Sequence, residues 1–421
     1  MKEYIFDKVN ESIFKETLDC GVDVYMYPFT KTKNFYCSIT VNYGSKHIKY
    51  KKGNKIYNII PGSAHFLEHR LMLISEDPNI SKRIDELGSL ANAWTAHHAT
   101  NYNIFGSENI VENIKILLDL FYNPKFVEKD IEEEKDIISE EIDMDKDQIE
   151  RYLSDRIYKD AFSKLHAINT IVGEKEDINK INCKSLKKIY DDFYIPNNTF
   201  IVIAGNFNKD NVMDEIKKYY SSLNLKRKEL PKRIIPKEPL EVAVDYEEIK
   251  KDMEDIRVRY VIKMKKNIFG IKDESVLKCY LSSILKLNFS STSKLYEKYK
   301  DEDLIFDMNA YNSVVDNYVL IVIKAVTNNP VELINNLKND INNLSLNKDE
   351  FERNKKRYIK NYIMSFENIE DVEYDIVDSL SRQGKIDFDD YEFLTKLSYS
   401  KAISIMKKIN TKYTTIIRTI K

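Results

Sequence analysis

Residues 65 to 69 read His-Phe-Leu-Glu-His, which places two imidazoles and one carboxylate within five positions. On a helix, positions i, i+3 and i+4 share one face, so His65, Glu68 and His69 would lie side by side. Zinc binds imidazole nitrogen readily, and a catalytic zinc site combines three protein ligands with one water. Glu68 would accept a proton from that water and pass it to the leaving group. The spacing H-x-x-E-H therefore predicts a catalytic zinc site with His65 and His69 as ligands and Glu68 as general base.

Two histidines need a third protein ligand, and the acidic segment DIEEEKDIISEEIDMDKD contains the candidates. Glu134 and Glu141 are seven residues apart, nearly two helical turns, so they would face the same way. Isoleucines lie between them and directly after Glu141, so both point inward more readily than Glu132 or Glu133. The spacing alone leaves Glu134 and Glu141 both open as the third ligand.

Composition excludes several classes of function. The 421 residues carry a formal net charge of −2, which implies no polyanionic partner such as a nucleic acid. The four cysteines are scattered, without the spacing of a disulfide framework or a cysteine metal site. No secretory signal opens the chain, and no apolar run has the length of a membrane span. We therefore expect a cytoplasmic protein without a membrane span.

Alternation and helical periodicity predict the elements that would position these residues. The motif helix begins near Ser63, and a strand-like stretch covers about 92–105. One continuous helical pattern runs from Glu128 to about Lys164 and carries both candidate glutamates. The remaining elements that the pattern predicts in the first half are strands at 22–27, 35–43 and 199–204 and helices at 109–122 and 184–193.

Proline and charged residues at 223–245 predict a linker between domains at 1–222 and 246–421. The second half repeats the order of elements, with strands at 256–264, 318–326 and 413–420 and a helix at 274–287. Both halves end in a helix, a short polar turn and a β-rich strand, which indicates a weak internal duplication. The second copy contains no histidine, so it cannot repeat the metal site.

H-x-x-E-H followed some seventy residues later by E-x6-E resembles the pitrilysin/insulinase family of zinc metallopeptidases. The segment GSAHFLEHRLM resembles the metal helix of that family, and ISEEIDM resembles its third-ligand helix. The resemblance makes Glu141 the third ligand and Glu134 a partner that orients a ligating imidazole. It covers essentially the whole chain, and it is closest to the short bacterial members of the family.

A further segment, LGSLANAWTAHHATNY, resembles the strand on which the family binds its substrate as an added β-strand. By position, the resemblance assigns that role to Ala91, Asn92, Ala93 and Trp94. It also implies an α+β fold with two homologous domains, each a mostly antiparallel sheet with helices packed on one face. The implied activity is zinc-dependent endopeptidase action on peptides or unfolded segments, with one Zn²⁺ per chain.

The chain departs from the family in its second half. Lys300 and Phe306 stand where self-sufficient homodimeric members carry an arginine and a tyrosine that engage substrate. Lysine lacks the planar two-point hydrogen bond of arginine, and phenylalanine has no hydroxyl. We therefore expect a heterodimer with a homologous subunit that lacks the zinc motif, rather than a homodimer.

Several interpretations stay open at this point. The chain could be the catalytic subunit that removes leader peptides or matures a peptide, or it could clear oligopeptides generally. The alternative is a non-catalytic peptide-binding or scaffold subunit of a paired complex. The other histidines have less distinctive settings. His97 and His98 lie near the substrate strand, where one could face the cleft, but both favour surface or packing roles. His47 lies in a polar loop without an expected chemical role, and His166 favours a structural one. The basic run at 353–360 is typical of a solvated helix face.

Overall fold

The structure is a computed structural model that describes residues 1–72, 78–386 and 390–421. Contacts divide the described residues into two compact units. The first unit draws on Met1–Lys146, Asn169–Ile235 and Ile363–Phe388, and the second on Asp147–Ile168, Pro236–Tyr362 and Asp389–Lys421. Both units combine helices with a mostly antiparallel sheet, so the implied α+β class is confirmed.

The described residues form fifteen strands and fifteen α-helices. The strands are β1 (Lys2–Phe6), β2 (Glu11–Thr17), β3 (Asp23–Pro28), β4 (Phe35–Val41), β5 (Lys49–Lys52), β6 (Lys55–Asn58), β7 (Leu90–Thr95), β8 (Thr100–Gly106), β9 (Thr199–Gly205), β10 (Lys232–Arg233), β11 (Tyr246–Lys250), β12 (Ile256–Lys265), β13 (Asp307–Val315), β14 (Tyr318–Thr327) and β15 (Thr414–Ile420). The helices are α1 (Ser63–Met72), α2 (Pro78–Glu86), α3 (Ile110–Tyr122), α4 (Glu128–Asp147), α5 (Ile149–Ala161), α6 (Lys175–Ile178), α7 (Cys183–Phe193), α8 (Lys209–Leu223), α9 (Glu274–Phe289), α10 (Lys294–Asp301), α11 (Pro330–Ile341), α12 (Lys348–Ser365), α13 (Ile369–Gln383), α14 (Asp390–Lys396) and α15 (Tyr399–Met406).

The first unit contains a seven-stranded sheet in the order β1-β2-β3-β9-β4-β8-β7. Only β3 and β9 pair in parallel, and the other neighbours are antiparallel. Cys37 and Ile39 of β4 are fully buried in one core with Phe66 and Leu67 of α1, because their alternation directs them to the face that the helices cover. A small sheet, β10-β5-β6, completes the unit. The strand β7 therefore lies at an edge of the large sheet.

The second unit contains a five-stranded sheet in the order β11-β15-β12-β14-β13. Its one parallel pair is β11 with β15, at one end of the sheet. Five strands of the first sheet, β3-β9-β4-β8-β7, follow the same arrangement when each set is numbered along the chain. An internal duplication predicts this shared order, and β13 corresponds to the edge strand β7.

Each unit also takes one helix from the other half of the chain. Helix α13 contacts β4 and β9 of the first sheet, and α5 contacts β12 and β15 of the second. Glu373 of α13 accepts a hydrogen bond from Oγ of Ser38, whose side chain lies on the face opposite to Cys37 and Ile39. Helix α5 of the first half of the chain thus belongs to the second unit, and α13 of the second half belongs to the first unit. A division of the chain into two consecutive domains does not anticipate this exchange. The boundaries 1–222, 223–245 and 246–421 stay a prediction.

Two predicted elements differ from those in the structure. The continuous helix predicted over 128–164 ends at Asp147, and α5 begins after Gln148, whose backbone is extended. The strand predicted at 92–105 is a hairpin of β7 and β8. Neither break has a glycine or proline at its centre, so neither is visible in local sequence. Within the residues that the structure describes, no helix is long and apolar enough to cross a membrane.

Candidate metal centre

Helix α1 positions His65, Glu68 and His69 on one side and anchors its other side in the core. Phe66, Leu67 and Leu71 are buried there against the sheet. Gly62 precedes the helix with φ +84°, and a Cβ at this position would lie 2.7 Å from the carbonyl oxygen of Val172. The tight approach before the helix therefore requires glycine.

Helix α4 supplies the two carboxylates that face α1. Its core side consists of Ile131, Ile138 and Ile142, which are fully buried. Glu134 is 2% exposed, and Glu141 is partly exposed beside it. The apolar anchoring fixes the rotation of the helix, so both glutamates point toward the histidines.

His65, His69 and Glu141 bring one ligand atom each to within 4.8 Å of one another. The Nε2 atoms of His65 and His69 lie 3.6 Å and 3.5 Å from Oε2 of Glu141. Ligands about 2.1 Å from a zinc ion at tetrahedral angles would be about 3.4 Å apart. Two imidazoles and one carboxylate at this separation fit a zinc ion without rearrangement of the backbone.

Glu134 binds the opposite side of one imidazole. Its Oε1 lies 2.7 Å from Nδ1 of His69, so Nδ1–H donates to the carboxylate and Nε2 is left for a metal. Burial alone lowers the pKa of His69, but hydrogen bonds to Glu134 and Glu141 outweigh burial and raise it to about 9. The negative charge that favours the protonated imidazole also favours a divalent cation at this position.

Glu68 lies on the same helix face with a different partner. Its Oε2 accepts a hydrogen bond of 2.5 Å from Oγ1 of Thr95, at the end of β7. Burial raises the pKa of Glu68, and the nearby charge of Glu141 adds to that effect, while Thr95 and His69 oppose it. A carboxylate whose pKa is raised toward neutrality is a better general base at neutral pH. Thr95 was absent from the residues selected by sequence, although it lies within the segment that resembles the family's substrate strand.

The predicted substrate residues all lie on the edge strand β7. Ala91 and Ala93 pack against the core on the face that carries α1, and Asn92 and Trp94 face the other side of the sheet. Among the described residues β7 pairs only with β8, so its second edge is available for hydrogen bonding. The backbone N–H of Ala93 donates to Oδ1 of Asn92 at 2.8 Å instead of to a neighbouring strand.

The structure places the remaining sequence candidates outside the metal cluster. His97 contacts Oγ of Ser45 at 2.8 Å, and His98 is buried. In the second unit, Lys300 lies in α10, and Phe306 is exposed directly before β13.

Two family descriptions match consecutive parts of the chain. "Insulinase (Peptidase family M16)" matches residues 31–175, which include the cluster and β7. "Peptidase M16 inactive domain" matches residues 180–358, which contain no histidine.

Individual proteins are also similar to this chain. A protein of Bacillus subtilis named uncharacterized zinc protease YmfH is 28% identical over 324 residues, which cover 74% of each chain. A probable mitochondrial-processing peptidase subunit beta of Arabidopsis thaliana is 26% identical over 168 residues, which cover 39% of this chain and 32% of the relative. The crystal structure of a putative M16-like peptidase from Alicyclobacillus acidocaldarius superposes with a TM-score of 0.89 at 20% identity, over 97% of this chain and 98% of that one. This last likeness concerns the fold.

Proposed function

The chain belongs to the insulinase family, peptidase family M16, and on that premise we propose that it is a zinc-dependent endopeptidase. The observation that carries the proposal is the cluster of His65, His69 and Glu141, whose ligand atoms all lie within 4.8 Å, with Glu68 on the same helix face. These three side chains would hold one zinc ion per chain. Bound zinc would supply Lewis acidity, which polarises a peptide carbonyl and makes water more acidic.

Three other residues transfer the proton or position the groups that react. Glu68 takes a proton from the attacking water, whose oxygen forms a bond to the carbonyl carbon, and gives that proton to the nitrogen as the peptide C–N bond breaks, so the products are a carboxyl group and a free amine. Thr95 holds the Glu68 carboxylate in place through its 2.5 Å hydrogen bond. Glu134 fixes the tautomer of His69, which keeps Nε2 directed at the site.

The substrate would be an extended peptide that adds to the open edge of β7. Backbone pairing along Ala91, Asn92, Ala93 and Trp94 recognises an extended chain more than particular side chains. Peptides and unfolded segments fit this requirement, whereas folded domains expose few unpaired strands. Thr95 is the last residue of β7 and contacts Glu68, so a peptide bound along the edge of β7 would lie close to the general base. Removal of a leader peptide and general peptide clearance use the same chemistry, and both fit this proposal.

The proposal includes a partner subunit. Lys300 and Phe306 lack the groups that the family resemblance expects for substrate contact, and a homologous subunit without a zinc motif would supply them. The mitochondrial relative is named as a subunit, which is consistent with pairing in this family. The chain should show little turnover alone and a gain of at least tenfold when a homologous subunit that lacks the zinc motif is added. Full turnover of the isolated chain, without such a gain, would contradict this part of the proposal.

The proposal places the protein in the cytoplasm. All four cysteines are free thiols, which is the usual state in a reducing compartment. Cell fractionation with an antibody to the chain would test this location, and recovery with the periplasmic or secreted fraction would overturn it.

The central experiment compares the wild type with Glu68→Gln, using bound-zinc analysis and cleavage of an unstructured peptide, with and without a homologous subunit that lacks the zinc motif. Glutamine cannot accept the proton, so Glu68→Gln should retain zinc and lose at least a thousandfold in turnover, on the order expected for loss of a general base. Glu133→Gln, an exposed glutamate of α4, is the matched control and should behave as the wild type. Retained turnover in Glu68→Gln would refute the mechanism.

A further inference from the structure

A cavity of about 530 Å³ lies between α13 and the face of the first sheet that is turned away from α1. All of its lining residues belong to the first unit. Its volume falls in the range of roughly 300–1,000 Å³ that is typical of small-ligand sites. We call this cavity the α13 pocket, and its lining includes Tyr36, Trp94, Glu370, Asp371, Tyr374 and Asp378.

The α13 pocket combines accessible aromatic rings with an excess of negative charge. Tyr36 and Trp94 are partly exposed, and Tyr374 is 54% exposed, so a ligand can reach all three rings. Glu370 and Asp371 are exposed at the start of α13, and the described residues place no lysine, arginine or histidine within ion-pair distance of either carboxylate. Acidic residues are ordinary in the first turn of a helix, but that preference does not account for aromatic rings in the same cavity.

The third exposed carboxylate of the pocket is already compensated. Oδ1 of Asp378 lies 2.5 Å from Nε of Arg382 and 3.8 Å from Nε2 of His98. By contrast, burial raises the pKa of Glu373 to about 7, and the charge of Glu370 adds to that effect. The negative charge deep in the pocket therefore favours entry of a cation.

We propose that the α13 pocket binds an organic cation, a guanidinium or primary ammonium group, through its aromatic rings and its two uncompensated carboxylates. Faces of tryptophan and tyrosine attract cations, and carboxylates accept charge-assisted hydrogen bonds from them. A metal ion fits less well, because it needs converging ligand atoms. Among the described residues, only His65, His69 and Glu141 converge in that way.

Strand β7 connects the α13 pocket with the proposed substrate edge, and this step rests on the proposed function. Asn92 and Trp94 face the pocket from β7. In a peptide added to β7, every second side chain lies on that same face, with Cβ atoms about 4.5–5.5 Å from those directly opposite. The long side chain of a lysine or arginine at such a position can extend into the pocket. A free amine carries the same chemical group, so the test has an arm for each source.

Trp94 is the only tryptophan of the chain, so its fluorescence reports on the α13 pocket. N-acetyl-arginine amide should change this fluorescence saturably in the full chain. N-acetyl-citrulline amide, which has nearly the same shape without the charge, should bind at least tenfold more weakly. The double variant Glu370→Gln/Asp371→Asn should weaken binding of the arginine compound at least tenfold, and Tyr374→Leu should weaken it about threefold.

The matched control is Glu132→Gln/Glu133→Gln, which removes two adjacent exposed carboxylates from α4 and should leave the affinity unchanged. Equal binding of the arginine and citrulline compounds, or no saturable response to either, would overturn the inference. Neither measurement requires turnover. A response to the arginine compound without any peptide cleavage would therefore refute the endopeptidase but not the pocket.

The two sources of the cation are distinguished by binding to Glu68→Gln. Fluorescence anisotropy compares unstructured peptides that carry arginine or citrulline at one of several successive positions, and putrescine represents free amines. Tighter binding of the arginine peptides at alternate positions, lost in Glu370→Gln/Asp371→Asn, would support a substrate side chain as the ligand. Saturable binding of putrescine, together with equal binding of all peptides, would support a free amine.

Discussion

Replacement of Glu134 by glutamine should weaken zinc binding about tenfold while leaving the fold intact. Glu134 is 2% exposed, and its Oε1 lies 2.7 Å from Nδ1 of His69. Glutamine can keep the hydrogen bond but not the charge. Hydrogen bonds to a charged group contribute roughly 1.5–3 kcal/mol and neutral ones roughly 0.5–1.5 kcal/mol, so the loss is about 1.4 kcal/mol, or tenfold in affinity. Removal of the acceptor in Glu134→Ala should cost more, about a hundredfold.

A competition titration with a chromophoric zinc chelator measures this effect directly. The matched control is Glu133→Gln, which removes one negative charge from the adjacent, largely exposed position of the same helix. That variant should change the affinity less than twofold, because solvent screens an exposed charge. Equal affinities of Glu134→Gln and Glu133→Gln would refute the orienting role of Glu134. Thermal unfolding of the metal-free variants would show whether a loss of affinity reflects a loss of fold.

Three further perturbations test the burial of Glu373 on α13, the buried ion pair of Lys263 with Glu238, and the open edge of β7. Burial raises the pKa of Glu373 to about 7, against an ordinary value of 4.5, so its contribution to folding is complete below about pH 4.5 and lost as the pH rises through 7. Urea unfolding measures the free energy of unfolding of Glu373→Gln relative to that of the wild type. This difference should shift by about 3 kcal/mol in favour of the variant between pH 4.5 and pH 8. The same difference at both pH values would contradict the burial of this carboxyl. Lys263→Met leaves Glu238 charged and fully buried without its 2.7 Å partner, so it should lower the free energy of unfolding by about 3 kcal/mol, whereas the exposed Lys265→Met should cost little. Peptide substrates that are N-methylated at successive amides should lose cleavage about tenfold at alternate positions, because an added strand donates alternate N–H groups to β7, and a uniform loss would argue against strand addition.

The residues of the candidate metal centre could be found from the sequence because short-range geometry determines them. His65, Glu68 and His69 share a face on any helix, and Glu134 and Glu141 follow from the same periodicity on another helix. The spacing did not distinguish ligand from supporting group between the two glutamates. In the structure, Oε2 of Glu141 lies beside both Nε2 atoms, whereas Oε1 of Glu134 lies beside Nδ1 of His69, and the roles of the two glutamates stay a prediction.

The long-range features had no local signal. The break at Gln148 separates a helix of the first unit from a helix of the second, and residues 149–161 give no periodic hint of which sheet they cover. Likewise, the segment predicted as a linker contains Glu238, which accepts hydrogen bonds from three backbone amides and from Lys263. Charged residues among prolines are typical of solvated linkers, so the local sequence does not indicate that Glu238 is buried. Its burial depends on Lys263, which lies 25 residues away in the sequence.

Zinc titration of the metal-free protein tests the proposed activity most directly. After chelation, zinc is added in steps to the chain, with and without a homologous subunit that lacks the zinc motif, and the cleavage rate of an unstructured peptide is measured at each step. If His65, His69 and Glu141 hold one zinc ion, as proposed, the rate should rise linearly from near zero and reach a plateau at one equivalent per chain. Glu141→Gln should show no such rise at one equivalent. A rate that is independent of zinc, or an equal response in Glu141→Gln, would contradict the zinc-dependent peptidase.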